Sequence, residues 1–290
     1  MATKEYFLHY YAINNYVIHE ILLLLSNSYR QSKILVKLHP IFKSTYIYPL
    51  WRKIHTLSLR GLNYSDDDFY TNGELNLIKS IIKKSPDKEL IIFDAGANIG
   101  EFSLLVADLC ETYKKTCRIF AFEPMIENIK QLRHNTSKVR NISIIEKALG
   151  EISGHIDMYT TKEIDSQASI YASKKNSLAK TQVQVTTLDE FCLMHKIDII
   201  HYLKIDTEGH ELPVLKGARA LLNQSKIRCI QFEFGGTMVN SRVYVRDFYQ
   251  FLSKYNYKTG RIFPNAVKWT KSYNLIEEIF MYSNYCSEPI

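Results

Sequence analysis

The stretch Ile91-Ile-Phe-Asp-Ala-Gly-Ala-Asn-Ile-Gly100 decides the fold, because it joins a short apolar run to a glycine turn and then to a helical pattern. Residues 90–93 are all apolar, as is typical of a strand that is buried on both faces of a sheet. After Gly96 and Gly100, apolar residues recur at helical spacing. In parallel sheets a ligand binds where a strand turns into a helix, so the stretch predicts a nucleotide-cofactor site.

Charge indicates which cofactor this turn binds. A dinucleotide fingerprint reads G-x-G-x-x-G so that the backbone can approach a pyrophosphate, whereas this turn reads D-x-G-x-N-x-G. Asp94 would repel a pyrophosphate, but it suits S-adenosyl-L-methionine, which carries a sulfonium and an ammonium group and no phosphate. The cofactor carboxylate would meet N–H groups of the turn and of the helix start. We therefore expect Asp94, Gly96, Asn98 and Gly100 to shape the cofactor site; an ordinary strand-turn-helix is the alternative.

Composition sets the broad class of protein. With 290 residues, 46% of them hydrophobic, the chain can bury a sizeable core, and an α/β domain of roughly 200 residues leaves room for an extension. The five cysteines form no C-x-x-C pair, and their odd number argues against a disulfide framework or a zinc ribbon. Reduced thiols and the lack of a signal-peptide pattern predict a cytoplasmic protein. The longest clean apolar run near the start, residues 21–25, is too short to span a bilayer.

Positive charge is concentrated at the start of the chain. Residues 1–60 hold eight Lys or Arg and two acids, so they carry +6 of the net +7. This asymmetry predicts contact with something acidic, such as an anionic membrane surface, a nucleic acid or an anionic substrate carrier; a solvated helical face is the alternative. Apolar residues at helical spacing over 13–25, and a second candidate helix at 32–38, are interpreted as packing helices or homodimer helices. The Tyr48-Pro49 pair is predicted to break this helical pattern.

The rest of the chain alternates apolar runs with helical periods, which predicts a mostly parallel sheet with helices on both faces. The predicted strands are residues 90–93, 118–122, 142–146, 199–205, 228–234, 258–262 and 278–282. The predicted helices are residues 74–84, 100–113, 126–136, 188–194, 211–222 and 245–255. Residues 150–185 lack a helical period and predict an inserted hairpin or long loop. We divide the chain into a helical basic extension, 1–70, and a cofactor-binding domain, 71–290.

Two further residues complete the predicted cofactor site. Glu123 closes the second predicted strand 29 positions after Asp94. An acid at the end of the neighbouring strand is placed to accept two hydrogen bonds from ribose hydroxyls. Ala148 follows the third strand, where the adenine edge would lie if the cofactor crosses three strand ends.

The stretch Lys204-Ile-Asp-Thr-Glu-Gly-His-Glu211 follows the fourth strand. Strand alternation puts Lys204 and Asp206 on one face, and the glycine at 209 permits a turn that aims Glu208 and His210 at the same cavity. A hydroxyl that accepts a methyl group needs a base, which His210 or Asp206 could supply. The structural alternatives are a Lys204–Asp206 ion pair and a Glu211 that complements a helix dipole.

Glu233 ends the fifth strand and could join Asp206 or Glu208 around a divalent ion. No H-x-x-H or similar ligand spacing fixes such a site, so we predict no metal site.

Together these motifs resemble the FkbM family of S-adenosyl-L-methionine-dependent methyltransferases. The resemblance covers roughly residues 70–285 and rests on Phe93-Asp-Ala-Gly-Ala-Asn-Ile-Gly100, Ala121-Phe-Glu-Pro124, Ala148-Leu-Gly150, Thr187-Leu-Asp189, the stretch 204–211 and Val214-Leu-Lys-Gly-Ala218. It implies a Rossmann-like class I fold with seven strands, the last of them antiparallel, and methyl transfer to a hydroxyl of a sugar or natural product. Thr207 and His210 stand where the family more often has Val and a small residue, so His210 is either particular to this acceptor site or a tolerated variant.

The sequence thus predicts a cytoplasmic O-methyltransferase in which Asp206, Glu208 and His210 face a hydroxylated small-molecule or glycan acceptor. Residues 1–60 are expected to contact an anionic membrane surface or a lipid-linked glycan. One rival is an RNA methyltransferase, but no interleaved aromatic-basic platform or N-P-P-Y-like motif appears, so no nucleic acid is expected. The other rival is a non-catalytic module that retains the cofactor fold.

Overall fold

The computed structural model describes residues 45–46, 48–160 and 179–290. The chain divides into two compact units, residues 1–61 and 62–290. The helices predicted at 13–25 and 32–38 lie outside the described residues, and the homodimer that they suggested stays a prediction. In the first unit, helix α1 spans Tyr48–Gly61. The helix begins at Tyr48-Pro49, where the sequence predicted a break from the preceding pattern, because proline fits the first helical turn, where its missing N–H has no intrahelical partner.

The second unit is built around a mixed sheet of eight described strands. They are β1 (Glu89–Ala95), β2 (Thr116–Phe122), β3 (Ile142–Ile145), β7 (Tyr202–Ile205), β8 (Ile230–Phe234), β9 (Tyr257–Phe263), β10 (Ala266–Thr270) and β11 (Ser283–Pro289). Across the sheet the strands lie in the order β10-β9-β11-β8-β7-β1-β2-β3. The five from β3 to β8 in this order are parallel, and β11 runs antiparallel to β8. Their carboxyl ends therefore share one edge, where the predicted site residues follow.

A smaller sheet pairs β4 (Ala148–Leu149), β6 (Ala179–Thr186) and β5 (Gly154–Thr160). It confirms the predicted inserted hairpin; residues 161–178 lie outside the described part. The remaining helices are α2 (Glu74–Lys84), α3 (Glu101–Thr112), α4 (Ile126–Thr136), α5 (Leu188–His195), α6 (Glu211–Lys216), α7 (Arg219–Asn223), α8 (Met238–Ser241) and α9 (Val245–Ser253). None of the described helices is long and apolar enough to cross a membrane.

Helices cover both faces of the large sheet because buried strand residues alternate between two cores. Ile92 and Tyr202 pack with the apolar residues of α2 and α3. Phe93 and Leu203 pack on the opposite face with α5, α6, α7 and α9. The predicted Rossmann-like α/β class is therefore confirmed, and β10, which forms a hairpin with β9, adds an eighth strand to the seven predicted.

The position predicted for the last strand, residues 278–282, was wrong, since β11 occupies Ser283–Pro289. Its polar residues are buried but paired, which hides the apolar signature of a strand. Ser283 Oγ donates to Phe234 O at 3.3 Å, and Asn284 Nδ2 donates to Glu74 Oε1 at 2.8 Å. Burial here is satisfied by hydrogen bonds rather than by hydrophobic contact.

The single helix predicted over 211–222 is two helices, α6 and α7, interrupted at Gly217. A Cβ at Gly217 would lie 2.1 Å from Gly150 O, so the helix break lies against the inserted hairpin. Asp189 then caps the new helix start, because its carboxylate accepts hydrogen bonds from Ala220 N at 2.8 Å and Leu221 N at 3.0 Å.

Candidate active site

The glycine turn after β1 is held against the ends of two neighbouring strands. Gly96 has φ +86°, and a Cβ there would lie 1.8 Å from Asp206 O, so only glycine fits. The N–H groups of Gly96 and Ala97 donate to Phe122 O at 3.0 and 2.9 Å. These two donors are therefore engaged within the protein, which leaves the first turn of α3 as the source of N–H groups for a ligand carboxylate.

Glu123, at the end of β2, is buried and anchors the same turn. Its Oε2 accepts from Asn98 N at 2.9 Å, and its Oε1 accepts from Met125 N at 2.9 Å and Asn128 Nδ2 at 3.4 Å. Burial raises the pKa of Glu123 to about 7, although these hydrogen bonds oppose the shift. A carboxylate has about four acceptor positions, so this geometry keeps capacity for a ribose hydroxyl. The ribose contact stays a prediction.

Asp94 is fully buried at the end of β1 and lies beside Lys204 in the β1–β7 register. Its Oδ2 accepts from Ser103 Oγ at 2.7 Å, and its Oδ1 is buried with no hydrogen-bond partner among the described residues. Burial raises the pKa of Asp94, against the effects of Lys204 and Ser103. A buried acceptor without a donor fits a cationic ligand such as the ammonium group of S-adenosyl-L-methionine.

An ion pair and a carboxyl pair meet after β7. Lys204 Nζ lies 2.7 Å from Asp206 Oδ2, as the sequence suggested. Burial opposes ionisation of Asp206, but the charge of Lys204 and a hydrogen bond from Glu233 outweigh it, and the pKa of Asp206 is lowered. Burial and the nearby Asp206 raise the pKa of Glu233 well above its usual range. Asp206 is thus the member of the pair that ionises first, and Glu233 is the member that keeps its proton longer as pH rises.

Glu211 does more than complement the dipole of helix α6. It is buried, and its Oε1 accepts from Thr207 N at 2.8 Å and Gly209 N at 3.2 Å. Burial raises its pKa to about 7. Glu211 therefore fixes the turn that positions the residues from 207 to 210.

Two cavities lie on either side of the glycine turn. The first is lined by Gly96, Asn98, Phe122, Glu123, Pro124, Asn128, Ala148, Leu149, Met158, Asp206, Thr207, Glu208 and His210. The second, of about 690 Å³, is lined by Asp67, Phe69, Tyr70, Glu74, Asp94, Gly96, Ala97, Asn98, Ile99, Glu101, Phe102, Leu104, Leu105, Lys204, Asp206 and Tyr282. Gly96, Asn98 and Asp206 line both, so the cavities meet along these residues.

The predicted site residues divide between the two cavities. Glu208 and His210, predicted beside Asp206 on the acceptor side, line the first cavity with Glu123 and Ala148. Burial lowers the pKa of His210 to about 4, so its imidazole is neutral at pH 7. Gly100 lines neither cavity and starts α3 with φ +92°.

Sequence reasoning missed one wall of the second cavity. Phe69, Tyr70 and Glu74 precede the recognised motifs, and Tyr282 lies near the end of the chain. Glu74 could be found from its place at the start of an amphipathic helix, but no local signal marked the other three. Among the described residues, no group of three or more His, Cys, Asp or Glu side chains is arranged to hold a metal ion.

Sheet order and site together define a class I methyltransferase fold. The family model "Methyltransferase FkbM domain" matches residues 94–259, which is more than half of the chain. The chain belongs to the FkbM methyltransferase family. This membership confirms the cofactor predicted from the sequence, S-adenosyl-L-methionine.

Similar proteins include one curated relative and several solved structures. The hexuronic acid methyltransferase AglP of Haloferax volcanii is 25% identical over 164 residues, which are 56% of this chain and 64% of that protein. This chain therefore spans less than two thirds of that relative. The methyltransferase FkbM of Methylobacillus flagellatus KT shares 17% identity at a TM-score of 0.42, over 69% of this chain and 44% of that chain. A precorrin-6y C5,15-methyltransferase of Geobacter metallireducens GS-15 shares 14% identity at a TM-score of 0.40, over 77% and 93%.

Proposed function

We propose that this protein transfers a methyl group from S-adenosyl-L-methionine to a hydroxyl of a sugar or glycan. The observation that carries the proposal is the meeting of two cavities at Gly96, Asn98 and Asp206, because it offers a cofactor and an acceptor a common point of contact. The similarity to a hexuronic acid methyltransferase supports a sugar as the acceptor.

The charges of the lining residues suggest how the cofactor lies. Glu123 and Ala148 would hold the adenosine half in the first cavity, and Asp94 in the second cavity would face the cationic methionyl half. When bound, the cofactor supplies a methyl group activated by its sulfonium. The chain has to align this group with an acceptor oxygen and exclude water, which can contribute about 7–11 kcal/mol in favourable cases.

Asp206 is the proposed proton acceptor. Of the three residues predicted on the acceptor side, it alone lines the second cavity among the described residues. The charge of Lys204, 2.7 Å away, keeps its carboxylate ionised. An ionised carboxylate at this point can take the hydroxyl proton as the oxygen–carbon bond forms.

The test is methyl transfer from isotopically labelled S-adenosyl-L-methionine to a panel of free sugars and glycosides. We expect a labelled O-methyl sugar and loss of the activity in Asp206→Asn. Calorimetry on the same preparation measures cofactor binding. Cofactor binding without transfer to any sugar would contradict the proposal and favour a non-catalytic module, and steeply salt-dependent RNA binding would favour an RNA methyltransferase.

We also propose that helix α1 holds the protein at an anionic membrane surface. The helix contains no acidic residue, and its exposed Leu50, Ile54 and Leu57 lie on one helical face. Arg52 lies on the opposite face, and Lys53 lies at the edge of the apolar face. This pattern is typical of helices that lie in a membrane interface.

Liposome co-sedimentation tests the membrane proposal. Arg52→Gln with Lys53→Gln should weaken binding to phosphatidylglycerol vesicles by about 1 kcal/mol per charge, while Lys83→Gln with Lys84→Gln, at the end of α2, serves as the matched control. Equal binding to purely zwitterionic vesicles, or equal losses in both double variants, would count against it.

A further inference from the structure

The second cavity has a strongly one-sided charge. Among the described residues its lining contains five acids and one base. They are Asp67, Glu74, Asp94, Glu101, Asp206 and Lys204. The formal charge of the lining is therefore −4, in a protein whose total is +7.

The single lysine is already engaged. Lys204 is 9% exposed, its Nζ lies 2.7 Å from Asp206 Oδ2, and it stands 5.4 Å from the centroid of the Phe102 ring. Burial opposes its charge, but Asp206, Asp94 and Glu74 raise its pKa above the usual value. Binding an acceptor carboxylate would require Lys204 to exchange one of these buried partners, which costs free energy.

Within the described part of the chain, no further cation forms an ion pair with these acids. The carboxylate of Glu74 accepts hydrogen bonds from Asn72 Nδ2 at 2.6 Å, Asn284 Nδ2 at 2.8 Å and the side chains of Tyr282 and Gln231, all of them neutral donors. Asp67 and Glu101 are exposed at the rim. An anionic acceptor would meet these charges before it reached Asp206.

The walls suit a sugar ring. Phe69 and Tyr70 form an edge-to-face pair with centroids 6.1 Å apart, and Phe69 forms a second such pair with Phe102 at 5.8 Å. Tyr70 is 69% exposed and so presents apolar area to the cavity mouth. Flat apolar surfaces beside carboxylate acceptors match a molecule with C–H faces and many hydroxyl donors.

We infer that the acceptor is a neutral or amino-bearing sugar and that the second cavity discriminates against uronic acids. This inference rests on the proposed function and departs from the hexuronic acid named for the curated relative. The cofactor contributes one net positive charge at most through its sulfonium, ammonium and carboxylate, so the cavity stays acidic when the cofactor is bound.

The experiment compares methyl glycosides in matched sets that differ only at carbon 6, as hydroxymethyl, carboxylate or aminomethyl. Sets with the glucose, galactose and mannose configurations are assayed with the full-length protein at low and high salt. Within any accepted set, kcat/KM should be at least about tenfold higher for the neutral or amino sugar than for the uronate at low salt. The ratio should shrink as salt screens the rim charges.

A rim variant gives the matched control. Asp67→Asn with Glu101→Gln should reduce discrimination against the uronate by about two- to fivefold, whereas Asp108→Asn, an exposed acid on the same helix α3 that lines neither cavity, should leave the ratio as in the wild type. A uronate preferred at low salt, or a ratio indifferent to the rim variant, would overturn the inference while leaving sugar methylation intact. Transfer to no set despite cofactor binding would instead count against the proposed function.

Discussion

The two cavities differ in how the chain builds them. The first is formed mainly by residues at or just after strand ends, and its buried acid, Glu123, accepts hydrogen bonds from the N–H groups of Asn98 and Met125. The second cavity combines residues 67–74, the start of α3, Lys204 and Tyr282. Its first and last lining residues, Asp67 and Tyr282, are more than 200 positions apart in the chain. Local geometry therefore builds most of the first cavity, and long-range assembly builds the second.

The largest expected effect tests whether Asp206, in the second cavity, accepts the hydroxyl proton. Asp206→Asn should lower kcat for methyl transfer by about 10²–10⁴-fold, because it removes the proton acceptor while keeping the side-chain size. Single-turnover rates at saturating cofactor and acceptor measure the loss.

His210→Gln is the matched variant for the first cavity. The His210 imidazole is neutral at pH 7, and the residue lines the first cavity rather than the second, so kcat should fall by less than about threefold. If His210→Gln lost as much activity as Asp206→Asn, the proton acceptor would belong to the first cavity.

The contrast between local and long-range construction explains which site residues the sequence predicted and which it missed. Asp94, Gly96 and Glu123 were found because strand-turn-helix connections leave short, local signatures. Tyr282 could not be found, since it reaches the site only through β11, whose buried polar residues disguise the strand. The side that His210 faces depends on the turn fixed by Glu211, whose hydrogen bonds to Thr207 and Gly209 a linear sequence does not show.

The next prediction tests whether one cofactor molecule occupies both cavities, with its methionyl half next to Asp94. Asp94→Asn should weaken binding of S-adenosyl-L-methionine by about 10- to 100-fold, because a charge-assisted contact in a buried site contributes about 1.5–3 kcal/mol. S-adenosyl-L-homocysteine keeps the ammonium group but lacks the sulfonium charge, so it should lose less, because Asp94 then faces one positive charge instead of two. Calorimetry with both ligands measures the difference, and Ser103→Ala, which removes only the donor to Asp94, should have a smaller effect. Equal losses of affinity for the two ligands would show that Asp94 does not interact with the sulfonium.

The smallest effect concerns pH and the first cavity alone. Burial raises the pKa of Glu123 to about 7 in the cofactor-free protein, and the predicted ribose contact requires its ionised form as the acceptor. Binding should therefore release a proton, and affinity for S-adenosyl-L-homocysteine should fall as pH drops through 7, by no more than tenfold per pH unit. Calorimetry in buffers of different ionisation enthalpy counts that proton.

Glu123→Gln is the control for this pH dependence. It should make the affinity for S-adenosyl-L-homocysteine nearly independent of pH around 7. Any pH dependence that remains in this variant is attributed to Glu211, because burial raises its pKa to about 7 as well. Proton uptake on binding would show that protonated Glu123 meets the ribose, and the acid would then donate a hydrogen bond to a ribose oxygen instead of accepting one.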